Sequence, residues 1–120
     1  MTTPLEILRG ARDLLDGGKN WIHHNYHEEV DGVKKFCAIA AVNTAAFNNP
    51  MGPSFGVPEH RDKVGARDTA SAILAKAMGR YDTRYGNQVS QVIEFNDLKG
   101  RTASEVLAAF DRAIAELEKG

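Results

Sequence analysis

Hydrophobic positions recur at helical spacing at both ends of the chain. Leu5, Leu8, Ala11 and Leu15 form one stripe, with Ile7 and Leu14 beside it, as an amphipathic helix requires. The stretch "TPLE" marks its start: Thr3 offers a capping hydroxyl, Pro4 suits the first helical position, and Glu6 stands where a capping box closes. Gly17-Gly18 predicts the stop, since glycine takes the left-handed conformation without a Cβ clash. Arg9–Asp13 and Arg12–Asp16 stand four residues apart and are expected to pair along the exposed side. Near the other end, Val106, Phe110, Ala113, Ile114 and Leu117 line a second stripe, with Leu107 beside it. A second capping box, "TASE" at 102–105, opens that helix just after Gly100.

Between these helices lies "FCAIAAVNTAAF" (36–47), apolar around nearly its whole circumference. Such a pattern predicts a helix buried on all sides, and its alanines let neighbouring helices approach closely. "NNPMGP" should end it, followed by a loop through Pro58 that carries three of the four prolines. Residues 59–80 read as helical, most firmly from Asp68 onward, where Ala70, Ile73, Leu74, Ala77 and Met78 recur, with Gly65 as a candidate break or bend. "NQVSQVIEF" (87–95) suits a helix through Val89, Val92 and Ile93 or a strand through Val89, Ile93 and Phe95, and a short helix is preferred. "EEVDGVKKF" sets Asp-Gly between two valines, a two-residue hairpin signal. The pattern therefore predicts one mainly α domain over residues 1–120. Four or five helices surround the buried 36–47 helix, with a small β-hairpin before it.

Composition narrows the function classes. At 120 residues and 13.1 kDa the chain is long enough for a core of its own. A net charge of −1 gives no global field to attract nucleic acid or an anionic membrane. Residues 58–86 do carry six basic residues against four acidic ones. The single cysteine, Cys37, excludes an internal disulfide and any multi-cysteine zinc site. It agrees with a reducing cytoplasm, the expected location. "MTTPLEILRG" has no signal-peptide pattern, and the 36–47 run falls short of the ~20 apolar residues of a membrane span.

Three of the four histidines cluster in "NWIHHNYHEE" (20–29). His23 and His27 could share a helix face and reach one zinc ion. Against this, His24 stands where the zinc-protease motif has glutamate, and Asn20 and Asn25 disfavour a helix. A third ligand would have to come from Glu28, Asp31, Cys37 or elsewhere, and no spacing selects one, so a polar loop or edge strand is the expectation, with no metal. Cys37 near a helix start could be an activated thiol, with His23, His24 or His27 as base and Asn96 or Asp97 orienting it. The plainer expectation is a small buried hydrophobe. Asn96 and Asp97 are also expected to turn the chain by accepting nearby backbone N–H groups, with Phe95 and Leu98 as core anchors. Arg61, Lys63, Arg67, Lys76, Arg80 and Arg84, with Tyr81 and Tyr85 between them, resemble a weak nucleic-acid footprint. Asp62, Asp68 and Asp82 interrupt it, and a charged helix face is expected instead. No phosphate-binding or nucleophile-elbow motif is present, so no cofactor is expected.

Taken together, "TPLEILRGARDLL", Trp21, "FCAIAAV" and "FNDLKGRTASEVLAAFDRAIAELE" resemble an uncharacterised family of small proteins from actinobacteria and their phages. The resemblance covers most of the chain and lends no catalytic residue. It implies a cytoplasmic, phage-encoded accessory protein. The expected function is a non-enzymatic binding or regulatory module acting on a protein partner, in a phage setting a host protein, with homo-oligomerisation left open. A small Cys–His enzyme is the alternative, and weak nucleic-acid binding the second.

Overall fold

The structure, a computed structural model, describes residues 2–54, 56–79 and 88–119. The tyrosines and arginines of "GRYDTRYG" lie outside the described residues, apart from the leading Gly79. Five α-helices and one two-stranded hairpin make up the described fold. Helix α1 spans Pro4–Leu14 and opens on the expected capping box: the Glu6 N–H donates to Thr3 Oγ1 at 3.1 Å, and the Thr3 N–H donates back to the Glu6 carboxylate. A 3-10 turn at Asp16–Gly18 ends it, with Gly17 and Gly18 at φ 65° and 99°.

The hairpin pairs β1, His27–Val30, with β2, Val33–Phe36. Asp31 and Gly32 form its turn at φ 53° and 79°, the two left-handed residues that a tight hairpin of the right twist needs. Helix α2 spans Ala38–Phe47 and begins two residues later than its apolar run, because Phe36 belongs to β2 and Cys37 is the N-cap. It is buried along most of its length and lies against α1, α3 (Pro58–Ala77) and α4 (Val89–Asp97). Small residues permit this: a Cβ on Gly10 of α1 would sit 3.3 Å from the Ala45 Cβ of α2.

Helix α3 runs unbroken through Gly65, so the glycine's propensity cost is overridden by packing of the flanking turns. Residues 89–97 are helical, as preferred over a strand. Helix α5, Ala103–Lys119, packs on α1 and α3 behind its capping box. The expected pairs within α1 do not form. Arg9 bonds Glu118 and Arg12 bonds Asp111, both on α5, because the antiparallel neighbour offers carboxylates beside the exposed edge of α1. Arg112 reaches the other way, donating from Nη2 to the Ala77 carbonyl at 2.8 Å and so capping the end of α3.

Candidate functional site

The residues that could carry chemistry gather at the two ends of α2. At its start, Cys37 is 2% exposed, and its sulfur accepts the Ala40 N–H at 3.4 Å. A helix N-terminus lowers a thiol's pKa, while burial raises it. Burial wins here and pushes Cys37 up to about 11, against the opposing backbone N–H groups of Ala40 and Ile39. Among the described residues no histidine hydrogen-bonds the sulfur.

Asn96 is wholly buried and uses its entire side-chain amide. Its Oδ1 accepts the Trp21 indole N–H at 2.6 Å and the Ala38 N–H at 2.9 Å. Its Nδ2 donates to the Ile22 carbonyl at 3.1 Å and to Asp97 Oδ1 at 3.0 Å. An amide has two donors and two acceptor lone pairs, so none is left to orient a catalytic histidine. The expected local turn is thus corrected: Asn96 joins the 21–22 segment to the first turn of α2, and Asp97 accepts the His24 N–H at 2.9 Å. The turn after α4 is closed by the Arg101 N–H on the Leu98 carbonyl, with Arg101 stacked over the Phe95 ring.

The histidine stretch does not lie on one helix face. Residues 22–26 are loop, His24 sits at φ 68°, and His27 opens β1. His23 Nε2 donates to the Leu98 carbonyl at 2.9 Å, and its ring lies 3.9 Å from that of His24. Among the described residues no group of three His, Cys, Asp or Glu side chains converges as metal ligands would.

A second buried polar chain escaped the sequence reading. Asn43, 1% exposed in the middle of α2, donates to the Tyr26 hydroxyl at 2.8 Å and to the Pro50 carbonyl at 3.2 Å. Its Oδ1 accepts from Arg67 Nη1 at 2.8 Å, and Arg67 Nε donates to Asp68 at 2.9 Å. Arg67 is therefore not part of an outward basic face. A lone asparagine inside an apolar helix was the available signal, since a buried amide must find partners.

The other end of α2 is open. A cleft of about 330 Å³ lies between it and the hairpin, lined among others by His27, Glu29, Lys34, Phe36, Thr44 and Pro50. Nearby, Val30, Val33 and Met51 are 57%, 48% and 67% exposed.

The family of unknown function DUF6197 matches residues 1–116. The chain belongs to this family. No curated protein and no solved structure matches it. DUF6197 carries no described activity, so the roles of these residues rest on geometry. Among the described residues of this DUF6197 protein, no helix is long and apolar enough to cross a membrane.

Proposed function

We propose that this DUF6197 protein is a non-enzymatic binding or regulatory module acting through protein–protein contacts in the cytoplasm. One observation carries the reading: the candidate nucleophile and its candidate orienting amide both hold the buried start of α2. Cys37 is sealed there with its pKa pushed up to about 11, and a buried, protonated thiol is a poor nucleophile. Asn96 has no hydrogen-bonding capacity left. The exposed large hydrophobics among the described residues stand instead on the hairpin, at Val30 and Val33, and beside the cleft, at Met51, where a partner could meet them. The resemblance to proteins of actinobacteria and their phages adds the finer proposal that a phage-encoded member acts on a host protein.

Thiol labelling tests the reading. With an aromatic disulfide reagent at neutral pH, native Cys37 should react far more slowly than the unfolded chain, which should react fully. Rapid stoichiometric labelling of the folded protein would favour the Cys–His enzyme instead, with His23, His24 and His27 as candidates for its base.

A further inference from the structure

The hairpin has one edge in use, while the other meets no backbone partner among the described residues. Residues flanking a two-residue turn form a hydrogen-bonded pair, and such pairs alternate with non-bonded ones along the ladder. Val30 and Val33 flank the turn here, so Glu28 and Lys35 also bond each other. The backbone groups of His27 and Glu29 on β1, and of Lys34 and Phe36 on β2, then point outward. At Phe36 they are taken: its N–H donates to the Asn20 carbonyl at 2.7 Å, and its carbonyl accepts the Ile22 N–H at 3.0 Å. Among the described residues no backbone partner meets the outward groups of His27 and Glu29. Both residues are exposed. Their side chains share a face with Phe36 and Lys34, the face that lines the cleft beside α2.

The charges along this edge select its occupant. A strand added beside β1 would lie about 4.8 Å from it and roughly twice that from β2. It meets Glu28 and Glu29 at contact distance, while Lys34 and Lys35 stand more than a Debye length of ~8 Å away. Neither glutamate forms an ion pair among the described residues. A second copy fits poorly: its β2, which carries Lys34-Lys35, already has its outer edge taken at Phe36 by Asn20 and Ile22, and its β1 repels. Every antiparallel β1–β1 register overlapping by three or four residues sets a glutamate opposite a glutamate, and like charges directly opposite are destabilising. We propose that the outer edge of β1 accepts an extended segment of a partner protein carrying two successive basic residues, which adds a third strand to the hairpin. Main-chain bonds to His27 and Glu29 hold the segment. Of the two basic side chains, one faces half-buried Glu28 on the opposite face of the hairpin and the other faces exposed Glu29 at the mouth of the cleft.

This inference rests on the protein-binding reading and supplies its surface and partner chemistry. The probe is a fluorescent peptide, Thr-Val-Lys-Lys-Val-Thr with blocked ends, against its Glu-Glu counterpart, followed by anisotropy. Wild type should bind the Lys-Lys peptide about tenfold more tightly, the scale of two attractive cross-strand pairs replaced by repulsive ones. Glu28→Lys with Glu29→Lys should reverse the preference. Glu29→Pro removes an outward N–H but no bond of the hairpin ladder, and should abolish binding while the thermal melt stays cooperative. Hydrogen exchange at the His27 and Glu29 amides should slow when peptide is bound. Equal affinity for both peptides, no saturable binding of the Lys-Lys peptide, or binding indifferent to Glu29→Pro in a folded variant would overturn the proposal. So would a dimer, seen by sedimentation, that Glu29→Pro dissociates. None of these peptide outcomes depends on how fast native Cys37 labels, so failure here is distinguishable from failure of the binding-module reading.

Discussion

The two ends of α2 handle their polar groups in opposite ways. At the N-terminal end, the Ala38 and Ala40 N–H groups, the Trp21 indole and the Ile22 carbonyl all find buried partners in Asn96 and Cys37. At the C-terminal end, the helix runs out beside an open cleft, and the hairpin over it has a strand edge with no backbone partner among the described residues and with charged and apolar side chains in solvent. Residue types alone would place chemistry at the first end, which holds the cysteine and lies near the histidines. The apolar context of Cys37 already predicts a buried hydrophobe, and the geometry adds that the Asn96 amide is fully used. A buried thiol that keeps its proton is a poor nucleophile, whereas outward backbone groups at an exposed strand edge are of the kind that strand addition uses.

The sharpest way to break this comparison is Asn96→Ala. It leaves the buried Ala38 N–H and the half-buried Trp21 N–H and Ile22 carbonyl without a partner, and each costs up to about 1–3 kcal/mol. A loss of about 3 kcal/mol is expected from urea unfolding. A near-neutral result would mean that water reaches this corner and that it is not sealed.

Alkaline stability tests the same end through Cys37. The unfolded thiol ionises near pH 9, and the folded one keeps its proton to about 11. Below pH 9 both states are protonated and the group contributes nothing. As pH rises from 9 to 11 the unfolded chain loses its proton first, so stability falls, by roughly 2–3 kcal/mol. Cys37→Ala should remove that share of the loss. Burial also pushes up the Tyr26 phenol, so the pH series is best repeated in a Tyr26→Phe background.

Between the two ends, Arg67→Ala removes the donor to Asn43 Oδ1 and the guanidinium beside the Phe47 ring. The expected cost is about 2 kcal/mol, measured as a lowered denaturant midpoint. If Arg67 were instead an outward nucleic-acid contact, stability would hold and any binding would weaken. At the open end, Val30→Thr with Val33→Thr should change stability by no more than about 0.5 kcal/mol, as for other exposed positions. A larger loss in the thermal melt would show that the hairpin tip is packed, and the contrast between the ends would shrink.

The elements themselves were legible in the residues. Both capping boxes, the Asp-Gly hairpin and the all-apolar α2 follow from local rules, in which the partners lie three or four residues apart or the pattern repeats at the helical period. The candidate site was legible only as residue types. Asn96 read as a turn former because its near neighbours were the only partners in view, yet two of its bonds go to Trp21 and Ala38, 75 and 58 residues away. Arg67 read as surface charge because nothing in its own helix announced Asn43.

What the chain alone determined is therefore the two terminal helices with their capping boxes, the buried apolar helix and the tight turn, because propensity, periodicity and left-handed positions act within a few residues. Only the tertiary structure decided which polar groups are consumed and which remain available. It turned Arg9 and Arg12 to α5, bonded Asn96 to Trp21 and Ala38, and left the outer edge of β1 with no backbone partner among the described residues. Those outcomes depend on which elements meet. A hydrogen bond between residues distant in sequence is a property of that meeting, and no local pattern names its partner.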